Sequence, residues 1–275
     1  MIPFDVVYYR PSTIDEAVTA FKEADGDGLK PRFLSGGTEI VTMARDNKMP
    51  ARAFIDLKEI PECHVLETTG GRFTVGACVP LNRVIEQNTW PLLSRASRGV
   101  ADHTVRNTLT VGGNAAGMLP YREALLPFLA GEGTAMVAGP EGSQSVALRD
   151  AFDKRLRLEA GEFLVSLSVS EEALAMPSHY ERHTRDARVD YPLVSLSMLR
   201  NGSQIRAAFA GAAAYPVAED ELDDALSGSG TTEERAERAV SVIEKAIRTD
   251  IRGSAEDRYI LLTDALTAGL NAVEG

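Results

Sequence analysis

Cysteine is scarce in this 275-residue chain, which holds only Cys63 and Cys78. Two thiols are too few for a disulfide framework, an iron–sulfur cluster or a four-thiolate zinc site, so we expect two free thiols half inside the fold. The sequence also lacks an apolar run of the ~20 residues that a membrane-spanning helix needs. Its N-terminus lacks the basic and apolar regions of a secretory signal. These absences predict a cytoplasmic protein.

Basic charge is in deficit as well, with 29 Lys and Arg residues against 40 Asp and Glu residues and a net charge of −11. Nucleic acid and anionic membranes are bound by clustered basic surfaces, so we expect neither as a partner. The sequence contains no G-x-G-x-x-G and no G-x-x-x-x-G-K-[ST] motif. Any dinucleotide would therefore be held by a fold other than the Rossmann unit.

Turn, strand and capping signals divide the chain into three units, at 1–57, 58–170 and 178–275. The first is a small α/β unit whose helix is predicted to start at a capping box of Thr13 and Glu16. The second mixes short strands and helices after a hairpin around Thr69-Gly70-Gly71. The third has three strand patterns followed by three helices, the last two of which begin with further capping boxes. This order of elements predicts an α+β fold.

Two stretches place Gly-Gly before a small polar residue: "FLSGGTEI" at Phe33–Ile40 and "TVGGNAAG" at Thr110–Gly117. Glycine allows a backbone to approach a ligand closely, and the N–H groups of such loops can bind phosphate oxygens. Each stretch alone is equally compatible with an ordinary turn. The spacing also leaves open whether the two stretches meet in the fold.

With their surroundings, these stretches resemble the flavin-binding medium subunit of the molybdenum hydroxylases, a family that includes xanthine dehydrogenase and carbon monoxide dehydrogenase. Four segments follow the family's order: "YYRPSTIDEAVTAF", "FLSGGTEI", "VRNTLTVGGNAAG" and "DIRGSAEDRY". The resemblance covers nearly the whole chain. It implies a two-subdomain FAD-binding fold of the PCMH (vanillyl-alcohol-oxidase-like) type. A C-terminal α+β domain with a three-stranded sheet and helices would follow.

By this resemblance, FAD would lie extended between the first two subdomains. The residues that would wrap the pyrophosphate are Phe33, Leu34, Ser35, Gly36, Gly37, Thr38, Glu39 and Ile40. The second wall would consist of Thr110, Gly112, Gly113 and Asn114. Further cofactor positions are Val100, Glu123, Leu164, Arg182, Asp190 and Tyr191. The chain departs from the family at Glu123, where Asp is usual, at Arg182, where relatives carry Lys, and at Leu119 and Asp257.

The implied function is electron transfer in a molybdenum hydroxylase complex. A small subunit with [2Fe–2S] clusters would deliver electrons to FAD, a large subunit would hold the molybdenum cofactor, and NAD⁺ or another acceptor would be reduced. This chain would supply no catalytic residue of its own. His179 and His183 lie on a predicted strand without an obvious third ligand, so we expect no metal site. Two alternatives remain open: a stand-alone flavin oxidoreductase of the same superfamily, and a non-enzymatic assembly subunit that has lost FAD.

Overall fold

A parallel sheet with two helices opens the chain, which a computed structural model describes over residues 2–186 and 189–275. Its elements are β1 (Val7–Tyr9), α1 (Ile14–Gly26), β2 (Arg32–Leu34), α2 (Thr38–Arg45) and β3 (Ala53–Asp56). The strand order β1-β3-β2 makes β3 central, and all of β3 is buried. The Thr13 side chain accepts from the Glu16 N–H as predicted. The Glu16 carboxylate, however, accepts from the Ser12 N–H and hydroxyl, so the predicted capping box forms only in half.

A five-stranded antiparallel sheet organises the next segment. The elements are β4 (Leu66–Thr69), β5 (Arg72–Gly76), α3 (Leu81–Gln87), α4 (Pro91–Arg98), α5 (His103–Arg106), α6 (Val111–Ala116), α7 (Leu126–Ala130), β6 (Thr134–Gly139), β7 (Gly142–Ala147), α8 (Leu148–Ala151), β8 (Phe152–Asp153), β9 (Arg155–Leu156) and β10 (Phe163–Ser170). The order β4-β5-β10-β6-β7 places β10 at the centre. Gly70 and Gly71 close the β4–β5 hairpin with φ of 57° and 75°, values that favour glycine.

The C-terminal segment packs helices on a three-stranded antiparallel sheet. Its elements are β11 (Ser178–Thr184), β12 (Pro192–Asn201), β13 (Gln204–Ala210), α9 (Asp220–Ser227), α10 (Thr232–Ile243) and α11 (Ala255–Glu274). Capping boxes start α10 at Thr231 and Glu234 and α11 at Ser254 and Asp257, as predicted. Its apolar core is formed by β12, β13 and the three helices. The α+β prediction is confirmed.

The first two predicted units share a core. Ala17 and Ile55 from the first unit pack in one apolar cluster with Phe163 from the second. Cys63 and Cys78 belong to this cluster, so both thiols are fully buried rather than half inside the fold. The unit boundaries themselves stay predictions. Among the helices of the described residues, none combines the length and apolar character that crossing a membrane requires.

The Arg258 guanidinium lies in the C-terminal core with no exposed surface. Its Nη1 donates to the carbonyls of Leu193 and Gly211, and its Nη2 pairs with the Asp250 carboxylate at 2.6 Å. Gly211 has φ of 90°, and a Cβ there would lie 2.7 Å from the Leu193 carbonyl oxygen. One buried charge therefore ties the first turn of α11 to the start of β12 and the end of β13.

We expect Arg258→Ala to lower the free energy of unfolding by about 3 kcal/mol, because it removes a fully buried donor from Asp250 and from the Leu193 and Gly211 carbonyls. Urea unfolding followed by circular dichroism measures this change. The matched control is Arg157→Ala, which breaks an exposed ion pair with Asp153 and should change stability by less than about 1 kcal/mol. Equal effects of the two substitutions would contradict the role of Arg258.

Candidate functional site

The two Gly-Gly stretches meet at Ser35. Its hydroxyl lies 2.7 Å from the Thr110 hydroxyl and donates to the Ala77 carbonyl at 2.9 Å. At Gly36, a Cβ would lie only 2.1 Å from the Thr108 carbonyl oxygen. Real Cβ atoms do not approach an oxygen so closely, so glycine at this position is required for the two stretches to touch. The structure thereby answers the question that the spacing left open.

Glu39 makes a second tie between the stretches. Its carboxylate accepts from the Met118 N–H, with the two oxygens at 3.1 and 3.0 Å. The neighbouring Gly117 is packed so tightly that a Cβ would lie 2.9 Å from a Glu39 oxygen. The Glu39 side chain therefore holds the segment that follows α6 and leads to Leu119. The Glu39 backbone N–H binds no protein acceptor among the described residues and is available for a ligand.

The first stretch is a loop with unused donors. Across the described part of the chain, the backbone N–H groups from Gly36 to Ile40 donate to no protein oxygen. These residues are half-buried, and Gly37 takes φ of 73° as the N-cap of α2. The positive end of the α2 dipole adds to these free donors. Free N–H groups at a helix N-terminus bind phosphate oxygens, so the loop fits an anionic diphosphate.

The Lys58 side chain contacts the first glycine loop. Its ammonium donates to the Ser35 carbonyl at 3.3 Å and pairs with Asp56 at 2.9 Å. Burial alone raises the pKa of Asp56, but hydrogen bonds from Tyr8 and Lys58, together with the charge of Lys58, outweigh this effect and leave the pKa below its ordinary value. Asp56 is therefore a stable anion that orients Lys58 toward the loop.

The second stretch is not a loop, contrary to its interpretation as a glycine loop. Thr110 is the N-cap of α6, and its hydroxyl accepts from the Gly113 N–H at 3.0 Å. The Gly112 N–H donates to the Ala77 carbonyl at 2.9 Å, and a Cβ at Gly112 would lie 2.4 Å from the Ala77 side chain. The capping hydroxyl and the neighbouring backbone therefore turn "TVGGNAAG" into a short helix. Its glycines serve close packing, and Gly113 alone of the pair is exposed.

Asn114 links α6 to the segment that carries Glu123. Its side-chain carbonyl accepts from the Ala124 N–H at 3.0 Å. Within the described residues, no protein acceptor binds the side-chain amide nitrogen of Asn114. Asn114 thus positions the Glu123 segment and keeps two donor hydrogens free.

Glu123 and Arg182, both predicted cofactor positions, form an ion pair. Arg182 Nε donates to Glu123 Oε1 at 2.6 Å, and the Tyr180 hydroxyl donates to the same oxygen at 3.3 Å. Glu123 is 3% exposed. Burial raises its pKa, and the Arg182 charge opposes that rise. Gly99, beside the predicted Val100, packs so closely that a Cβ would lie 2.7 Å from Arg182 Cδ.

The predicted residues Asp190 and Tyr191 continue this network. The Asp190 carbonyl accepts from Arg182 Nη2, and its carboxylate pairs with Arg252. The Tyr191 ring stacks on Tyr121 with centroids 4.6 Å apart. Arg252 lies 5.2 Å from the Tyr191 centroid. The structure thus joins Val100, Glu123, Arg182, Asp190 and Tyr191 in one region.

Four side chains of this region were not identified from the sequence, namely those of Tyr121, Tyr180, Arg248 and Arg252. Arg248 donates to the Tyr121 hydroxyl at 3.1 Å and lies 5.5 Å from its ring centroid. The only available signal was Arg252, which lies inside the "DIRGSAEDRY" segment. Nothing in the sequence pairs a tyrosine at 121 with one at 191, because stacking depends on how two distant segments pack.

Phe33, Leu34 and Leu164 are mainly packing residues. The Phe33 ring lies 5.0 Å from Phe21 and 4.6 Å from Phe163. Leu34 and Leu164 are 8% and 4% exposed. Their contact with a cofactor stays a prediction, as it does for the other positions above. Outside this region, His179 and His183 contact the Glu181 carboxylate at 3.1 and 2.7 Å.

Comparison with known proteins supports the resemblance to the molybdenum hydroxylase family. A family model described as the FAD binding domain in molybdopterin dehydrogenase matches residues 3–170, more than half of the chain. The carbon monoxide dehydrogenase medium chain of Hydrogenophaga pseudoflava is 27% identical, across 99% of this chain and 98% of that protein. The nicotine 6-hydroxylase medium subunit of Paenarthrobacter nicotinovorans is 25% identical, across 94% of each.

A solved structure shows the same fold. It is carbon monoxide dehydrogenase from Hydrogenophaga pseudoflava lacking the Mo-pyranopterin moiety of the molybdenum cofactor. One chain of it superimposes with a TM-score of 0.88 at 25% identity, covering 100% of this chain and 99% of that one.

Fold and site define an FAD-binding flavoprotein of the PCMH type. More narrowly, the chain belongs to the family of FAD-binding domains in molybdopterin dehydrogenases, as the FAD-binding medium subunit of a molybdenum hydroxylase. It is thus the flavoprotein subunit of an oxidoreductase. The family, fold class and cofactor predicted from the four sequence segments are confirmed.

We expect Glu123→Met to lower the free energy of unfolding by about 3 kcal/mol, because Arg182 is then left largely buried without its partner. Adding Arg182→Met should recover part of this loss, giving a coupling energy of about 1–3 kcal/mol in a double-mutant cycle. Urea unfolding of the four proteins measures it.

The control cycle uses Arg10 and Glu59, whose side chains are 61% and 52% exposed. Their coupling energy should stay below about 1 kcal/mol. A coupling for Glu123 and Arg182 no larger than this control would show that the buried pair does not join the two segments energetically.

Proposed function

We propose that this chain carries electrons in a three-subunit complex. The donors are [2Fe–2S] clusters of a small subunit, and NAD⁺ or another acceptor receives the electrons. The large subunit of the complex holds the molybdenum cofactor. Bound FAD supplies the electron-transfer chemistry. The protein binds and orients it, and no residue of this chain acts as a catalytic acid or base.

The free N–H groups of the first glycine loop carry the FAD-binding part of the proposal. The backbone N–H groups from Gly36 to Ile40 can together bind an anion that bears several oxygens, as a pyrophosphate does. On the second stretch, Gly113 is exposed and presents a surface without a side chain. The Asn114 side-chain amide has no protein acceptor among the described residues. This set of donors argues against the alternative of an assembly subunit that has lost FAD.

The Glu123–Arg182 pair is proposed to contact the polar middle portion of FAD. Both interactions of Glu123 use Oε1, so Oε2 has no hydrogen-bond partner among the described residues. Arg182 likewise engages Nε and Nη2 and leaves Nη1 without a partner there. A carboxylate oxygen accepts from hydroxyl groups, and a guanidinium N–H donates to oxygens. Glu in place of Asp, and Arg in place of Lys, thus keep one acceptor and one donor available.

The complex itself is tested by isolating the tagged chain from its native cell. We expect two further chains, an iron content that matches [2Fe–2S] clusters, molybdenum, and FAD. After chemical reduction, mixing with NAD⁺ should reoxidise the flavin, and other acceptors should be compared alongside. Isolation of the chain alone, with flavin but without iron or molybdenum, would instead support the stand-alone flavin oxidoreductase. The predicted cytoplasmic location can be checked by fractionating the same cells.

We expect Gly36→Ala to weaken FAD binding by at least about tenfold, which corresponds to roughly 1.4 kcal/mol. The added Cβ would collide with the Thr108 carbonyl and force the two stretches apart. Flavin content after purification and titration with FAD measure the effect. Gly26→Ala is the matched control, since a Cβ there meets no atom within 4 Å and its φ is ordinary. Unchanged flavin affinity in folded Gly36→Ala protein would refute this site.

A further inference from the structure

Cys63 and Cys78 are joined through their backbones. Cys63 lies in a 3₁₀ turn (Pro61–His64) that precedes β4, and Cys78 lies two residues after β5. The Cys78 N–H donates to the Cys63 carbonyl at 2.8 Å. That bond limits the separation of the two Cα atoms to about 6.7 Å, within the range of about 4.4–6.8 Å that a disulfide spans.

The interaction between the two thiols shifts the pKa of each in opposite directions. Hydrogen bonding with the Cys63 thiol is the largest cause that lowers the pKa of Cys78, and a hydroxyl hydrogen bond from Ser35 lowers it further. The same thiol–thiol interaction, with burial, raises the pKa of Cys63. Cys78 is therefore the nucleophile of the pair, because the thiolate is the reactive form.

The cysteine pair contacts the first glycine loop at Ser35. The Ser35 hydroxyl is 3.3 Å from Cys78 Sγ and 2.7 Å from the Thr110 hydroxyl. Both cysteines are buried, at 0% and 2% exposure, whereas Ser35 is half-buried. A small oxidant that reaches the Ser35 hydroxyl lies next to Cys78 Sγ, because these two atoms are in contact.

We propose that Cys63 and Cys78 form a reversible disulfide with hydrogen peroxide as oxidant, and that this bond weakens the FAD loop through Ser35. The Cys78 thiolate attacks one peroxide oxygen, the O–O bond breaks, and the leaving hydroxide takes a proton to become water. The Cys63 sulfur then attacks the resulting sulfenic acid, forming the S–S bond and releasing a second water. The two thiols lose two electrons in total, and peroxide is reduced to two waters.

The effect on FAD follows from the change at the Ser35 hydroxyl. Its single hydrogen is shared between the Ala77 carbonyl and Cys78 Sγ, and a disulfide sulfur is a weaker acceptor than a thiol or thiolate, so oxidation removes the contact to Cys78. Ser35 is the contact between the two stretches, and its carbonyl accepts from Lys58. We expect FAD affinity to fall by roughly fivefold, the scale of one lost hydrogen bond. This second part rests on the proposed FAD site, whereas disulfide formation does not.

The test uses the full chain, reduced and then treated with hydrogen peroxide under native conditions. Thiols are blocked, the protein is denatured and digested, and the peptides are identified by mass spectrometry. We expect both thiols to disappear, the mass to fall by two hydrogen atoms, a peptide linking Cys63 to Cys78, and recovery with dithiothreitol. Cys63→Ser is the matched control and should form no internal crosslink.

Persistence of both thiols, or a mass gain of oxygen atoms without a crosslink, would overturn the proposal. Titration of the reduced and oxidised chains with FAD then tests the link to the loop. Equal affinity in the two states would overturn that link. Failure of both states to bind FAD, with the crosslink formed, would instead refute the proposed FAD site.

Discussion

The carbonyl oxygen of Ala77 holds the candidate site together. It accepts from the Ser35 hydroxyl in the first glycine stretch and from the Gly112 N–H in the second, both at 2.9 Å. Ala77 follows β5 directly, and its own N–H donates to the Val165 carbonyl of the central strand β10. Two segments that are distant in sequence therefore share one acceptor that is fixed to the rigid sheet. Without that anchor the Ser35–Thr110 contact would have no defined position.

Around this anchor, two similar stretches of sequence have become different structures. The first is a loop whose N–H groups from Gly36 to Ile40 bind no acceptor among the described residues, because Gly37 takes a left-handed conformation before α2. The second is a helix whose N–H groups are used by Thr110 and Ala77. One Gly-Gly pair therefore supplies donors, and the other allows the chain segments to come close. The candidate site thus has hydrogen-bond donors on one side and a bare backbone surface on the other.

The C-terminal domain contacts the same region through charged side chains. Arg182 on β11 pairs with the buried Glu123 and also donates to the Asp190 carbonyl. Asp190 in turn pairs with Arg252, which follows Asp250, the partner of the fully buried Arg258. A continuous line of ion pairs and hydrogen bonds thus connects the C-terminal core to the segment after α6. Because removing one member of a buried pair is costly, this line keeps the two domains in a fixed relation.

The sequence by itself determined the fold class and most strands and helices, because these follow from local turn, capping and alternation patterns. It determined the family and the cofactor through the four segments that resemble the molybdenum hydroxylases. It also determined where β11 and the hairpin of β4 and β5 lie. Only the tertiary structure decided that the stretches touch, that "TVGGNAAG" is helical, that Glu123 pairs with Arg182, and that Cys63 contacts Cys78. Three of these outcomes depend on contacts across 15 to 75 positions of chain, as between Cys63 and Cys78 or Ser35 and Thr110, whereas the short helix also uses the local Thr110 cap. Local patterns carry no information about such contacts, because they are set by how sheets and helices pack.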